Sequence, residues 1–190
     1  MSRADILYIN DTDIGWRPFV DTWISGLEAD SVKTLLPALF DRYVEQLGDA
    51  VRRMKTAVPL PLINLVTSLC RLLEGGIETL PKDVVNSAHT TATATAFTNS
   101  GAPRKSLPEL LEHHFFVAAV WAFGGALIVE TTDDGGGAAG LRGNHRLAFH
   151  GMISQIGSSV KPPKDAAEGS LVFDFYFNPE TENMEHWCVM

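Results

Sequence analysis

HHFFVAAVWAFGGALIV, residues 113–129, is the most apolar stretch of the chain, and its reading decides the fold. Just upstream, Ser106 stands as an N-cap with Glu109 three residues later, the spacing of a capping box, and Pro108 falls in the first turn where proline costs little. Leu110, Leu111, Phe115, Val117, Val120, Trp121 and Phe123 then leave no wide polar face. A helix that is apolar nearly all round is either enclosed by protein or set in a membrane. The uncharged run 115–129 is shorter than the roughly 20 residues a membrane span needs, and Gly124-Gly125 interrupts it. The stretch therefore predicts a central helix buried by its neighbours. Trp121 is expected inside it, where truncation of a large aromatic to alanine costs ~3–5 kcal/mol.

The neighbours are legible on both sides. Over 34–54, Leu36, Phe40, Tyr43, Val44, Leu47, Val51 and Met54 fall on one helical stripe, and Asp41, Arg42, Glu45, Asp49, Arg52 and Arg53 fall on the other. VPLP at 58–61 breaks the chain. Leu62, Leu65, Val66, Leu69, Leu73 and Ile77 form a second stripe, weakened at its end by Gly75-Gly76. Earlier, Trp16, Phe19, Val20, Trp23, Ile24 and Leu27 recur at helical spacing, with Pro18 acceptable only in a first turn. ILYIN, residues 6–10, reads as a short buried strand closed by a turn. A strand this short needs a sheet, and no other nearby segment supplies one. Residues 141–156 hold room for one more helix. LVFDFYFNPETENMEHW, 171–187, reads as a β-hairpin turning at Asn178-Pro179. The stretch 87–106, rich in Thr and Ala, is too poor in large apolar residues to offset its ordering entropy and is expected to be a disordered insertion. TTDDGGGAAG at 131–140 is a second segment of that kind.

Composition narrows the function. Hydrophobic residues make up 45% of the 190, enough for a core, while the formal net charge of −8 disfavours nucleic acid and anionic membrane as main partners. The two cysteines, Cys70 and Cys188, make no disulfide framework and suit a reducing compartment. No secretory signal is read at the start, so the sequon at Asn10 carries no weight, and Cys188 sits one place too late for a prenylation box.

A search for chemistry finds none. No GxxxxGK[ST] phosphate loop is present, and neither apolar strand runs into an acidic metal-binding pair. His113 and His114 are adjacent, so they point about 100° apart on a helix and cannot share a metal; a structural role is expected for both. His145 and His150 lie in a glycine-rich stretch without Cys or paired carboxylates. Cys70 falls within an apolar helix and reads as an inert core thiol. Asp11 and Asp174 read as structural. On residue chemistry this piece is expected to have no catalytic residues, no metal site and no cofactor of its own.

Several stretches together resemble one place in one family. SRADILYINDTDIGW (2–16) followed by PFVDTWI (18–24) is similar to the end of the large domain of the second AAA+ module of dynein heavy chains. EHHFFVAAVWAFGGAL (112–127) resembles the hallmark helix of that module's small domain, the lid. SLVFDFYFNPETENMEHW (170–187) resembles the segment leading into the third AAA+ module. The wording FGG and NPETENMEHW looks like axonemal outer-arm heavy chains. Asp5, where the family usually has glycine, the long 87–106 insertion and the glycine-rich 131–140 depart from the pattern.

The resemblance implies a mainly α fold: an AAA+ lid bundle with an N-terminal strand and a C-terminal β-hairpin. It divides the chain into the end of the large domain at 1–30, the helical lid at 31–156 with an insertion at 83–106, and a linker and hairpin at 157–190. It implies a non-catalytic lid that couples nucleotide state between neighbouring modules of an ATP-hydrolysing, microtubule-based motor in the axoneme of a cilium or flagellum. The implied partners are adjacent modules of the same chain and, through the parent chain, microtubules and other dynein subunits, with ATP and Mg bound elsewhere in the parent. Arg3, just before ILYIN, is offered the role of an arginine finger acting across the module seam. The alternative is an independent acidic helical module that binds another protein.

Overall fold

The computed structural model describes residues 14–86, 104–128, 145–157, 163 and 166–187. Arg3, the expected strand at 6–10, most of the 87–106 segment and the 131–140 stretch lie outside the described residues.

The described chain runs α1 (Arg17–Gly26), α2 (Asp30–Arg52), α3 (Leu62–Glu78), a short α4 (Lys82–Asn86), α5 (Leu107–Phe123), α6 (His145–Ile156) and a hairpin of β1 (Phe175–Asn178) and β2 (Asn183–His186). It is the mainly helical arrangement expected, with a two-stranded antiparallel sheet near the end. Asp83–Asn86 belong to α4 and residues 104–106 are held against the fold, so order reaches into both edges of the 83–106 segment.

α5 is the axis. Ser106 starts it as anticipated: the Glu109 carboxylate accepts hydrogen bonds from the Ser106 N–H at 2.8 Å and from its hydroxyl at 2.7 Å. Its flank packs most extensively on α3 and next on α2. The buried residues of α2 (Leu36, Phe40, Tyr43, Val44, Leu47, Val51) and of α3 (Leu65, Val66, Leu69, Leu73) follow the expected stripes. Phe40 meets Phe115 edge-on at 5.4 Å, and Tyr43 meets Phe116 at 4.7 Å, the offset and T-shaped geometries that aromatic quadrupoles favour. The Tyr43 hydroxyl donates to Glu112 at 3.1 Å. Burial and that carboxylate hold the phenol protonated above its ordinary range. Cys70 is buried, and burial pushes its thiol up to about 12, which leaves it an inert core side chain.

Four features differ from the expectation. α2 begins at Asp30, ahead of Thr34, which places Pro37 inside the helix. Its ring lies on the exposed side, where the lost N–H bond is least costly because water reaches the freed carbonyl. On α1, Phe19 is 38% exposed, while Trp16, Val20 and Ile24 carry the buried face. The apolar run 113–129 is not one helix: α5 stops at Phe123, a 3-10 turn covers Gly124–Ala126, and Leu127 pairs with Thr56 in an antiparallel bridge. That bridge ties the loop after α2 to the end of α5, with Ile128 N–H donating to Lys55 C=O at 3.2 Å.

The fourth is Trp121. It is 40% exposed, on the rim of α5, touching Phe173 and Trp187 edge-on at 6.1 and 6.4 Å. An indole is large enough to bridge core and rim, so it stays partly wet where a phenyl ring would not. Phe115, by contrast, is fully buried among Phe40, Tyr43 and Phe116. Phe115→Ala is expected to cost ~3–5 kcal/mol. Trp121→Ala is expected to cost less than half of that, and urea denaturation of the two variants measures the difference.

Candidate functional site: the seam between bundle and hairpin

The hairpin is not an appendage. β1 lies against the N-terminal half of α5, and the 3-10 turn Val172–Asp174 lies against its C-terminal end. The strands pair Phe175 with His186 and Phe177 with Met184, and the alternation buries Phe175 and Phe177 while Tyr176 and Asn178 face outward. Phe177 stands edge-on to His114, with ring centres 4.9 Å apart, and 5.3 Å from His113. Lys105 places its ammonium 5.6 Å from the centre of the same ring, over its face.

His114 is squeezed between the strand and α3. A Cβ placed on Gly76 would come within 2.7 Å of His114 Nδ1, so the glycine that looked like a weak helix end is a slot for this imidazole. The same logic holds at the other end of α5. A Cβ on Gly124 would meet Phe173 Cζ at 2.6 Å and Phe149 Cε1 at 2.9 Å. Phe173 fills that slot, with the Arg146 guanidinium 5.3 Å over its face. His150 on α6 accepts a hydrogen bond from Val172 N–H at 3.1 Å through Nδ1, so the neutral ring carries its proton on Nε2. Asp174 accepts from Leu171 N–H at 2.7 Å, the structural role the sequence suggested.

The charged part of the seam centres on Glu182, at the hairpin turn. It is 3% exposed and sits at φ 54, a left-handed conformation unusual for a residue with a side chain. Its carboxylate accepts from Lys105 N–H at 2.7 Å and lies 3.9 Å from Arg104 Nε. Arg104 also reaches Asp83 on α4 at 3.0 Å. One carboxylate therefore fastens the turn to the entrance of α5, and one guanidinium carries that link on to α4. Within the hairpin, Glu185 accepts from Tyr176, Asn178 and Thr181. The Asn178 and Thr181 bonds hold its carboxyl below the usual range.

Aromatic contacts around Phe177 and the buried Glu182 carboxylate thus join hairpin and bundle. Among the described residues, no three of His, Cys, Asp and Glu gather where a metal could be held. No helix is long and apolar enough to cross a membrane, again among the described residues. Of the residues singled out in the sequence, His113 and His114 meet at the seam, His150 serves it, and Arg3 lies outside the described residues. Sequence reasoning missed Glu182, Arg104, Gly76 and Gly124. The available signal was slight: a Glu in a turn, and glycines inside otherwise helical patterns.

The buried imidazole makes the seam sensitive to acid. Burial first, and the neighbouring His113 charge second, lower the His114 pKa from 6.5 to about 4. Folding thus disfavours the protonated ring. No stability is lost above pH 6.5, and the loss grows as pH falls towards 4 because the unfolded chain takes up the proton first. A shift of that size is worth about 3 kcal/mol. The urea midpoint is expected to fall over this window, and His114→Gln is expected to flatten the fall.

Comparison with known proteins now bears on this arrangement. The family model for the dynein heavy chain AAA lid domain matches residues 36–188. The flagellar outer-arm dynein beta chain of Chlamydomonas reinhardtii is 41% identical over 125 residues, which is 65% of this chain and 2% of that protein. Human dynein axonemal heavy chain 9 is 32% identical over 188 residues, 98% of this chain and 3% of that protein. The ciliary dynein beta chain of Heliocidaris crassispina is 31% identical over 188 residues, with the same coverage. The chain therefore spans only a few hundredths of the length of the curated relatives it matches. With a family match reaching from α2 through the hairpin, the chain belongs to the dynein heavy chain AAA lid domain family.

Proposed function

We propose that this chain is the lid of the second AAA+ module of an axonemal outer-arm dynein heavy chain, working in a cilium or flagellum, and that it couples the nucleotide state of one module to the next. In this reading the lid performs no chemistry. ATP and Mg are held by large domains elsewhere in the parent chain, and microtubules are engaged through the parent chain as well.

One observation carries the reading. α1, expected to close the preceding large domain, and the hairpin, expected to open the following module, are both packed into the core of the lid. Trp16 just before α1, Val20 and Ile24 of α1 and Phe177 of β1 belong to the same continuous buried cluster as α5. Trp16 also donates to Glu45 on α2 at 2.7 Å, and Arg17 pairs with Asp41. A boundary at residue 30 would cut through that core. Packed interiors resist gradual deformation, so a displacement of α1 passes through α5 to the hairpin as a rigid-body movement. The independent interaction module gains no comparable support, because the family match runs through both bundle and hairpin.

The seam offers a way to break the coupling without breaking the bundle. In the intact heavy chain, Phe177→Ala with Glu182→Ala removes the hairpin's two anchors and leaves every α5 side chain in place. Allosteric couplings amount to about 5- to 150-fold in affinity. The factor by which MgATP changes microtubule affinity is expected to collapse towards one, with microtubule-free ATP turnover kept. An unchanged factor would remove the lid from the coupling path.

Arg3 carries the second part of the proposal, resting on the resemblance alone. A guanidinium facing the nucleotide of the first module would supply fixed, planar positive charge to a γ-phosphate spreading negative charge in the transition state. Fingers of this kind contribute about 10³–10⁵ in rate. In the intact motor, Arg3→Ala and Arg3→Lys are both expected to slow ATP turnover about a hundredfold or more, lysine failing because it lacks the fork. Turnover close to that of the parent in either variant would leave Arg3 a scaffold residue.

A further inference from the structure

The ends of α1 and α3, the start of α2 and the short α4 enclose an open groove of about 680 Å³. Its floor is apolar and incompletely covered: Leu27, Ala29, Ile77 and Val85 are half-buried, around the buried Val32 and Leu80. Its rim is acidic. Glu28, Glu74 and Glu78 are exposed, and none of them is paired with a cation among the described residues. Lys82 is the cation among the described lining residues, which leaves two carboxylates in excess.

We propose that this groove is a docking site for a basic amphipathic helix contributed by a part of the heavy chain outside these 190 residues. Three observations select that occupant. Half-buried aliphatic side chains between helix ends offer an apolar trough but no sheet edge, so a guest helix laying down one face fits and an added strand has nothing to pair with. No buried polar side chain points into the groove to orient a small molecule, which apolar ligand pockets normally require. The unpaired carboxylates on the rim complement Lys or Arg flanking the apolar face of a guest, and charges of that kind set the partner and speed its arrival. The source follows from length. The matched human relative has 97% of its chain outside the aligned part, and a tethered helix reaches the groove at a high effective concentration that a free peptide lacks. This docking site does not depend on the coupling proposed above.

The test uses two fluorescein-labelled probes, a 16-residue helix with leucine at i, i+3, i+4 spacing and lysine elsewhere, and its counterpart with glutamate for every lysine. By anisotropy on the 190-residue chain, the lysine probe is expected to bind about tenfold or more tighter than the glutamate probe. Glu74→Lys with Glu78→Lys is expected to remove that preference, and Val85→Asp to weaken the lysine probe by a similar factor. The pair Glu168→Lys and Glu180→Lys, which makes the same change in net charge on exposed turns elsewhere, is expected to leave binding unchanged. Equal weakening by both charge reversals would mean that the probe reads net charge only, and would overturn the groove. The intact heavy chain is expected to bind the lysine probe about tenfold more weakly than the 190-residue chain, because its own helix already fills the site. Equal binding by the two would overturn the source within the heavy chain and leave a separate subunit as the occupant.

Discussion

The fold depends on one helix that has no side it can show to water. In α5, eleven of seventeen residues are buried, including Leu110, Leu111, Phe115, Phe116, Val120 and Phe123, and they are spread around the axis rather than along a stripe. A helix of that composition is stable only when enclosed. α2 and α3 cover one flank. They leave a second flank, and covering it is what draws in α6, the Val172–Asp174 turn and the hairpin. The bundle therefore does not end where the helices end: residues from a segment far along the chain finish the enclosure.

Several polar groups that enter this apolar setting are met by specific partners. The Ser106 N–H and hydroxyl at the start of α5 donate to the Glu109 carboxylate. The buried Glu182 takes a backbone N–H and the neighbourhood of a guanidinium, and a buried carboxylate without such partners would cost several kcal/mol. His114 and His150 remain neutral by burial, one against an aromatic edge and one accepting a backbone proton. Polarity thus fixes the register of hairpin on helix, whereas apolar contact supplies most of the adhesion.

What the sequence revealed was what is local. The capping box of α5 spans four residues, the stripes of α2 and α3 repeat every three or four, and the hairpin announces itself by aromatic alternation and a turn. Each of these could be read because cause and effect lie within one element. What stayed hidden depends on a distant partner. Gly76 and Gly124 read as breaks because the rings they admit, His114 and Phe173, are 38 and 49 residues away. Trp121 read as core because nothing local says that Phe173 and Trp187 cover only part of its ring. Glu182 read as a turn residue because its partners, Arg104 and Lys105, precede it by more than seventy positions. The start of α2 lies four residues ahead of Thr34, at Asp30, because Val32 is buried in the core by contacts that no local pattern announces.

The late arrival of the hairpin has a consequence during synthesis. Phe123 leaves the ribosome 54 residues before Phe177, the ring that closes the far side of α5. At typical elongation rates of about 5–20 residues per second, that interval is roughly 3–11 s. Helix formation takes about a microsecond and collapse of a chain this size well under a millisecond. For those seconds α5 can rest on α2 and α3 with its second flank bare, a long time for an aggregation-prone surface. Nascent chains stalled between these positions would be the species on which a hydrophobic-binding chaperone acts, and mutations that loosen the hairpin would lower the amount of folded protein.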